Sequence, residues 1–106
     1  MPVYLLRGSY TREGYRGLVN EGGSGRREAA EQALASVDGR LEAFYFALGA
    51  DDFLIIAELP DSPTTVAVSL AGKLSGAFDI NATALLTPEE MDVAVSRSVD
   101  FRPPGA

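Results

Sequence analysis

The chain has 106 residues, 46 % of them hydrophobic and 23 % charged, with a net charge of −6; that is one folded domain with one modest core. The acidic balance opposes phosphate backbones and anionic lipid, so neither nucleic acid nor a membrane is an expected partner. It contains no cysteine and no histidine, which removes disulfides, thiolate and imidazole chemistry and most zinc, copper and haem sites, so neither metal nor cofactor is expected.

The opening MPVYLLRGSY lacks the pattern of a signal peptide. No apolar run reaches the ~18 residues of a membrane span, and a cytoplasmic protein is the expectation. Val3 to Tyr10 reads as a strand. Thr11 can cap a short helix with Tyr15, Leu18 and Val19 on one face. Asn20-Glu21-Gly22-Gly23 is expected to break it, after which Ser24 caps a second helix from Gly25 to about Val37. The buried stripe of that helix is Ala29, Ala30, Ala33, Leu34 and Val37, and Asp38-Gly39 ends it.

Arg40 to Pro60 reads as a hairpin turning at Gly49-Ala50-Asp51. Leu41, Ala43, Tyr45 and Ala47 point one way on its first strand, and Glu42, Phe44, Phe46 and Leu48 the other. On the second strand Phe53, Ile55, Ala57 and Leu59 oppose Leu54, Ile56 and Glu58. Strands apolar on both faces need two covering layers. Beyond them, Ser62 is expected to cap a helix with Pro63 at its first position and Val66, Ala67, Leu70, Ala71 and Leu74 inward. Ala77 to Leu86 alternates, with Phe78, Ile80, Ala82 and Ala84 against Asp79, Asn81 and Thr83. Thr87-Pro88-Glu89-Glu90 is a capping box, and the short helix to about Arg97 should dock through Met91, Ala94 and Val95. Residues 1–99 form the expected domain and 100–106 a flexible tail.

The order β-α-β-β-α-β plus a terminal helix is α+β, in the ferredoxin-like split βαβ arrangement. Right-handed crossovers put both helical connections on one face of the antiparallel sheet. The other face is left bare, and bare apolar area is a liability at about 25 cal/mol per Å². A homodimer with two open sheet faces packed together, a dimeric α+β barrel, resolves it. The alternative is a monomer whose terminal helix folds over the sheet.

The segments YLLRGSYTREGYRGL, GGSGRREA, LEAFYFALGADDFLIIAELPD and LLTPEEMDVA, in that order, resemble the GYD-domain family of small bacterial and archaeal proteins. The resemblance implies a ferredoxin-like α+β fold and imports no activity. The family's Gly-x-Tyr-Asp turn corresponds here to Gly49-Ala50-Asp51-Asp52: its aspartate is Asp52, and Asp51 stands where the tyrosine would be.

Three constellations carry chemistry. Ser24, Arg26 and Arg27 behind a glycine-rich helix start suit an anion, although no strand precedes them and the plain reading is a capped helix with solvated arginines. A polar set on the strands joins Arg7, Ser9, Asp79, Asn81 and Thr83 with Glu42, Asp52 and Glu58 near the hairpin. From this set Arg7, Asp52 and Asn81, with Tyr45, are the candidate ligand-binding residues. Glu42 and Asp79 are the candidate catalytic carboxylates, each able to pair with Arg7; the plain reading is an edge strand in water. The aromatic residues Tyr4, Tyr10, Tyr15, Phe44, Tyr45, Phe46, Phe53 and Phe78 would line a cavity for a planar ligand or simply form core and dimer interface. The leading functional reading is a homodimer binding a small apolar or aromatic metabolite between its facing sheets. The rivals are a cofactor-independent monooxygenase or isomerase-type enzyme on the same scaffold and a structural or protein-interaction module without a ligand.

Overall fold

A computed structural model describes all 106 residues. The elements are β1 (Val3–Tyr10), α1 (Arg12–Ala35), β2 (Arg40–Phe46), β3 (Phe53–Glu58), α2 (Ser62–Leu74), β4 (Phe78–Leu85) and α3 (Pro88–Ser96). The four strands form one antiparallel sheet in the order β2-β3-β1-β4, and the fold is α+β. The alternation in β1 divides its side chains between two environments: Tyr4, Leu6 and Tyr10 are buried beneath the helices, whereas Val3, Leu5, Arg7 and Ser9 lie on the open side. Phe53, Ile55, Ala57 and Ile80 complete the covered face, with Leu34 packed on it from α1 and Leu59 beside it.

The expected break at Asn20 to Gly23 falls at Gly22, whose φ of 83° and ψ of 168° are non-helical and open to glycine at little cost, so α1 is two helical segments joined at a kink. Several other local expectations are corrected. Ser24 lies inside the second segment and its side chain caps nothing. Thr11 is the true cap, its side chain accepting from the Gly14 amide at 3.2 Å while its own hydroxyl donates to the Gly76 carbonyl at 2.6 Å. That clamp draws the first turn of α1 onto the α2–β4 connection. The approach is so close that a Cβ on Gly14 would stand 1.8 Å from the Ala77 carbonyl oxygen.

In β2 the register slips between Leu41 and Ala43. Leu41 opposite Ala57, Phe44 opposite Ile55 and Phe46 opposite Phe53 thus face the helices, while Ala43 and Tyr45 face away. The bulge adds one residue and switches parity, so simple alternation misplaced Leu41. Asp61, not Ser62, caps α2: its carboxylate accepts from the Thr64 amide at 2.8 Å, and the Thr64 side chain first, with that amide, holds the carboxyl below its ordinary pKa. The inward face of α2 is also rotated from expectation. Thr65 is buried and Val68 half-buried, but Val66, Leu70 and Leu74 are exposed. The cause is close packing at Gly72, where an added Cβ would meet the Phe78 ring at 2.6 Å; only a small residue can turn toward the sheet there. The Ser69 hydroxyl, on the same helix, is buried without a hydrogen-bond partner.

The capping box of α3 forms as read, with Glu90 N–H donating to Thr87 Oγ1 at 3.1 Å and Thr87 N–H to Glu90 Oε1 at 3.0 Å. Its docking does not: Met91, Ala94 and Val95 are exposed and no residue of α3 is buried.

Candidate functional site

Helices α1 and α2 cross the same side of the sheet without closing over it, and a cleft of about 500 Å³ remains between them. Its floor is the covered face of the sheet, chiefly Leu6, Phe53, Ile55, Phe78 and Ile80. Its walls are small residues: Ala29, Ala30 and Ala33 from α1, and Ala67, Ala71 and Gly72 from α2. Alanines at helical spacing read as a core stripe in the sequence. Here they are too short to meet across the gap, and the missing volume is the cleft.

Polar side chains line the cleft at Tyr10, Glu13, Glu21, Arg26, Ser36 and Ser75. Of these, Tyr10, Arg26 and Glu21 form one interacting set, where β1 passes into α1. The Tyr10 ring belongs to an aromatic cluster, 5.4 Å from Phe53, 5.8 Å from Tyr15 and 6.0 Å from Phe78. Burial raises the Tyr10 phenol's pKa, and the Arg26 guanidinium beside it partly offsets the rise. Arg26 is held by Glu21 at 3.5 Å across the Gly22 kink. Tyr10 is consequently a neutral donor at ordinary pH, facing apolar space with a cation beside it.

Asp52 stands behind this set and outside the lining. Its Oδ2 accepts from the Tyr10 amide at 2.9 Å and from the Tyr15 hydroxyl at 2.6 Å. The bond to Asp52 raises the Tyr15 phenol's pKa, with burial and the carboxylate's charge adding to it. The Asp52 backbone also donates to the Gly8 carbonyl and accepts from Ala47, both at 2.8 Å. The residue offered as a ligand contact is therefore the pin joining the hairpin turn, the end of β1 and the start of α1.

The remaining ligand-binding candidates lie on the opposite side of the sheet. Tyr45, Leu54, Arg7 and Asn81 are successive cross-strand partners and form one row across the open face. Arg7 pairs with Asp51 at 3.7 Å, not with Asp79 or Glu42. Glu42 lies near Arg40 at 3.9 Å, although Arg40 makes its closer contact, 2.8 Å, with Glu58. Asp79 accepts from the Ile80 amide at 3.1 Å on the strand at the other edge. The two candidate catalytic carboxylates thus belong to opposite edges of the sheet and cannot share a substrate atom. The anion-binding set separates too: Arg26 turns to Glu21, and Arg27 to Glu31 at 3.9 Å, so the arginines do not converge with Ser24.

Sequence reasoning placed Tyr10 among the aromatic residues able to line a cavity and Arg26 in the anion-binding set, but it did not bring the two together and it missed Glu21. The signal for Tyr10 was a tyrosine ending a strand directly before a capped helix, because such a junction sets the ring over the sheet's end.

No group of three or more acidic side chains gathers to hold a metal ion, and no helix is long and apolar enough to cross a membrane. A search of curated proteins returns no significant match. The sequence model of the GYD domain matches residues 4–95, from the first buried tyrosine through nearly all of α3. Asp52, which the resemblance matches to the aspartate of that family's turn, is the pin, and its neighbour Asp51 holds Arg7. The chain belongs to the GYD-domain family.

Proposed function

We propose that the protein is a homodimer that binds a small apolar or aromatic metabolite in the cleft between its helices and its sheet. One observation carries the binding: a largely apolar cleft of about 500 Å³ with three interacting polar side chains in its lining, the form and size of a small-molecule site. The ligand's place moves from between facing sheets to the helix side, because that is where concave apolar volume exists. The strand order and the helices crossing one side of the sheet support the ferredoxin-like reading. The dimer rests on the open face, where Val3, Leu5, Leu54 and Ile56 are only half-buried in a single chain; two such faces packed together make the dimeric α+β barrel.

Native mass spectrometry of protein purified from its own source tests the binding, backed by titration with the apolar anionic dye 8-anilinonaphthalene-sulfonate. The expected result is a retained small molecule, or saturable dye binding, that Ala71→Trp removes while leaving the circular dichroism unchanged. Wild-type protein that retains nothing and does not saturate with dye refutes the site. Tyr10 favours a second reading, a cofactor-independent isomerase-type enzyme. Its neutral phenol could donate a hydrogen bond to an oxyanion developing on the ligand. On that reading Tyr10→Phe retains the molecule but no longer converts it.

A further inference from the structure

We infer that α3 is an exchanged arm, packing onto a second copy of the chain while the partner's arm packs back. The inference rests on the homodimer proposed above and adds what holds it together.

The helix cannot stand as it is. It has nine residues, and isolated helices shorter than ~12–15 residues are marginal in water. Both ends of its capping box are nonetheless made, and Pro88 occupies its first turn, so the sequence specifies a helix that its own domain does not support. Met91 and Val95 sit one turn apart with Val99 beyond them, and Leu86 and Phe101 flank the segment; all five are exposed. The two-residue link, Leu86-Thr87, is in extended conformation at Thr87 (φ −75°, ψ 160°). A link that short directs α3 off the end of β4, and the molecule measures 57 × 32 × 23 Å.

The exposed area gives the size of the missing contact. A compact monomer of 11.2 kDa exposes about 5,700 Å²; this chain exposes 7359 Å², roughly 1,700 Å² more. A standard protein interface removes about 800 Å² from each partner. Residues 97–106, exposed throughout, account for part of that excess, and the arm α3, with no buried residue, for part of the rest. A second copy supplies a matching deficit by symmetry, since each chain has both an arm to bury and an open face to cover.

Methionine is a convenient reporter, because the chain has only two. A full-length sample mixing one copy labelled with ¹³C at the methionine methyls and one unlabelled copy is examined by isotope-filtered NOE spectroscopy. Cross-peaks from the Met91 methyl to the unlabelled copy are expected. Light scattering across a dilution series accompanies it, where Met91→Asp with Val95→Asp should weaken self-association at least ten-fold without changing the β-sheet signal. A dimer whose Met91 contacts only its own chain, or nothing, overturns the arm but leaves the sheet-face dimer intact. A double variant that associates as tightly as wild type does the same. A monomer at millimolar concentration overturns both.

Discussion

The two faces of the sheet are made from the same strands, residue by residue in alternation, yet only one forms a core. Leu6 is almost wholly buried beneath the helices, whereas its neighbour Leu5 is only half-covered. On the covered face the side chains are nearly all apolar, and the chief polar oxygens there are satisfied or marginal: Tyr4 bonds Ser62 at 3.0 Å and Tyr10 lies beside Arg26. The open face changes character along its length. It is apolar at Val3, Leu5, Ile56 and Leu85, and polar at Arg7, Ser9, Asp79 and Asn81. A core tolerates no such gradient, because an unpaired charge there costs several kcal/mol. An interface does, since its rim remains wet. The contrast marks one face as intramolecular core and leaves the other as the face on which the proposed dimer rests.

Adjacent residues allow that contrast to be tested by paired substitutions. The largest effect is expected from Ile55→Glu, which places a charge in the core and should unfold the chain by circular dichroism. Ile56→Glu should keep the fold and shift the light-scattering mass toward monomer. If Ile56→Glu keeps the wild-type mass, the open face is not an interface. Leu6→Ala should cost about 3 kcal/mol in urea unfolding, independent of protein concentration. Leu5→Ala should cost less, with a loss that depends on concentration if it acts through the proposed dimer.

The Asp52 pin should show a smaller effect with a pH signature. Asp52→Ala is expected to cost about 1–2 kcal/mol and to lower the Tyr15 phenol's pKa toward its ordinary value near 10. Both Tyr10 and Tyr15 titrate above that value in the folded chain. Their contribution is thus fully present below the unfolded pKa and is lost as pH rises through the folded one. Absorbance at 295 nm should show Tyr10 and Tyr15 ionising late in wild type, and Tyr15 ionising earlier in the variant. Smallest is Ser69→Ala, which removes a buried hydroxyl without a partner and should stabilise the covered side by about 1 kcal/mol.

The sequence by itself determined the element order, because its signals are local. Thr11 and the Thr87–Glu90 box can cap only the helices that follow them, and alternation in β1 and β4 names the two faces without any knowledge of neighbours. The family resemblance rested on the same segments. What needed the tertiary structure was everything set by how two elements approach each other. The β2 bulge reversed the parity of Leu41, and the contact of Gly72 with Phe78 turned Val66, Leu70 and Leu74 outward. The alanine stripes of α1 and α2 became cleft walls because the helices sit apart by more than an alanine can fill. Asp52 acquired its role from Tyr10 and Tyr15, 42 and 37 positions away. Caps and periodicity are properties of a few consecutive residues, whereas a cleft is a property of the distance between helices, and no run of one helix contains that distance.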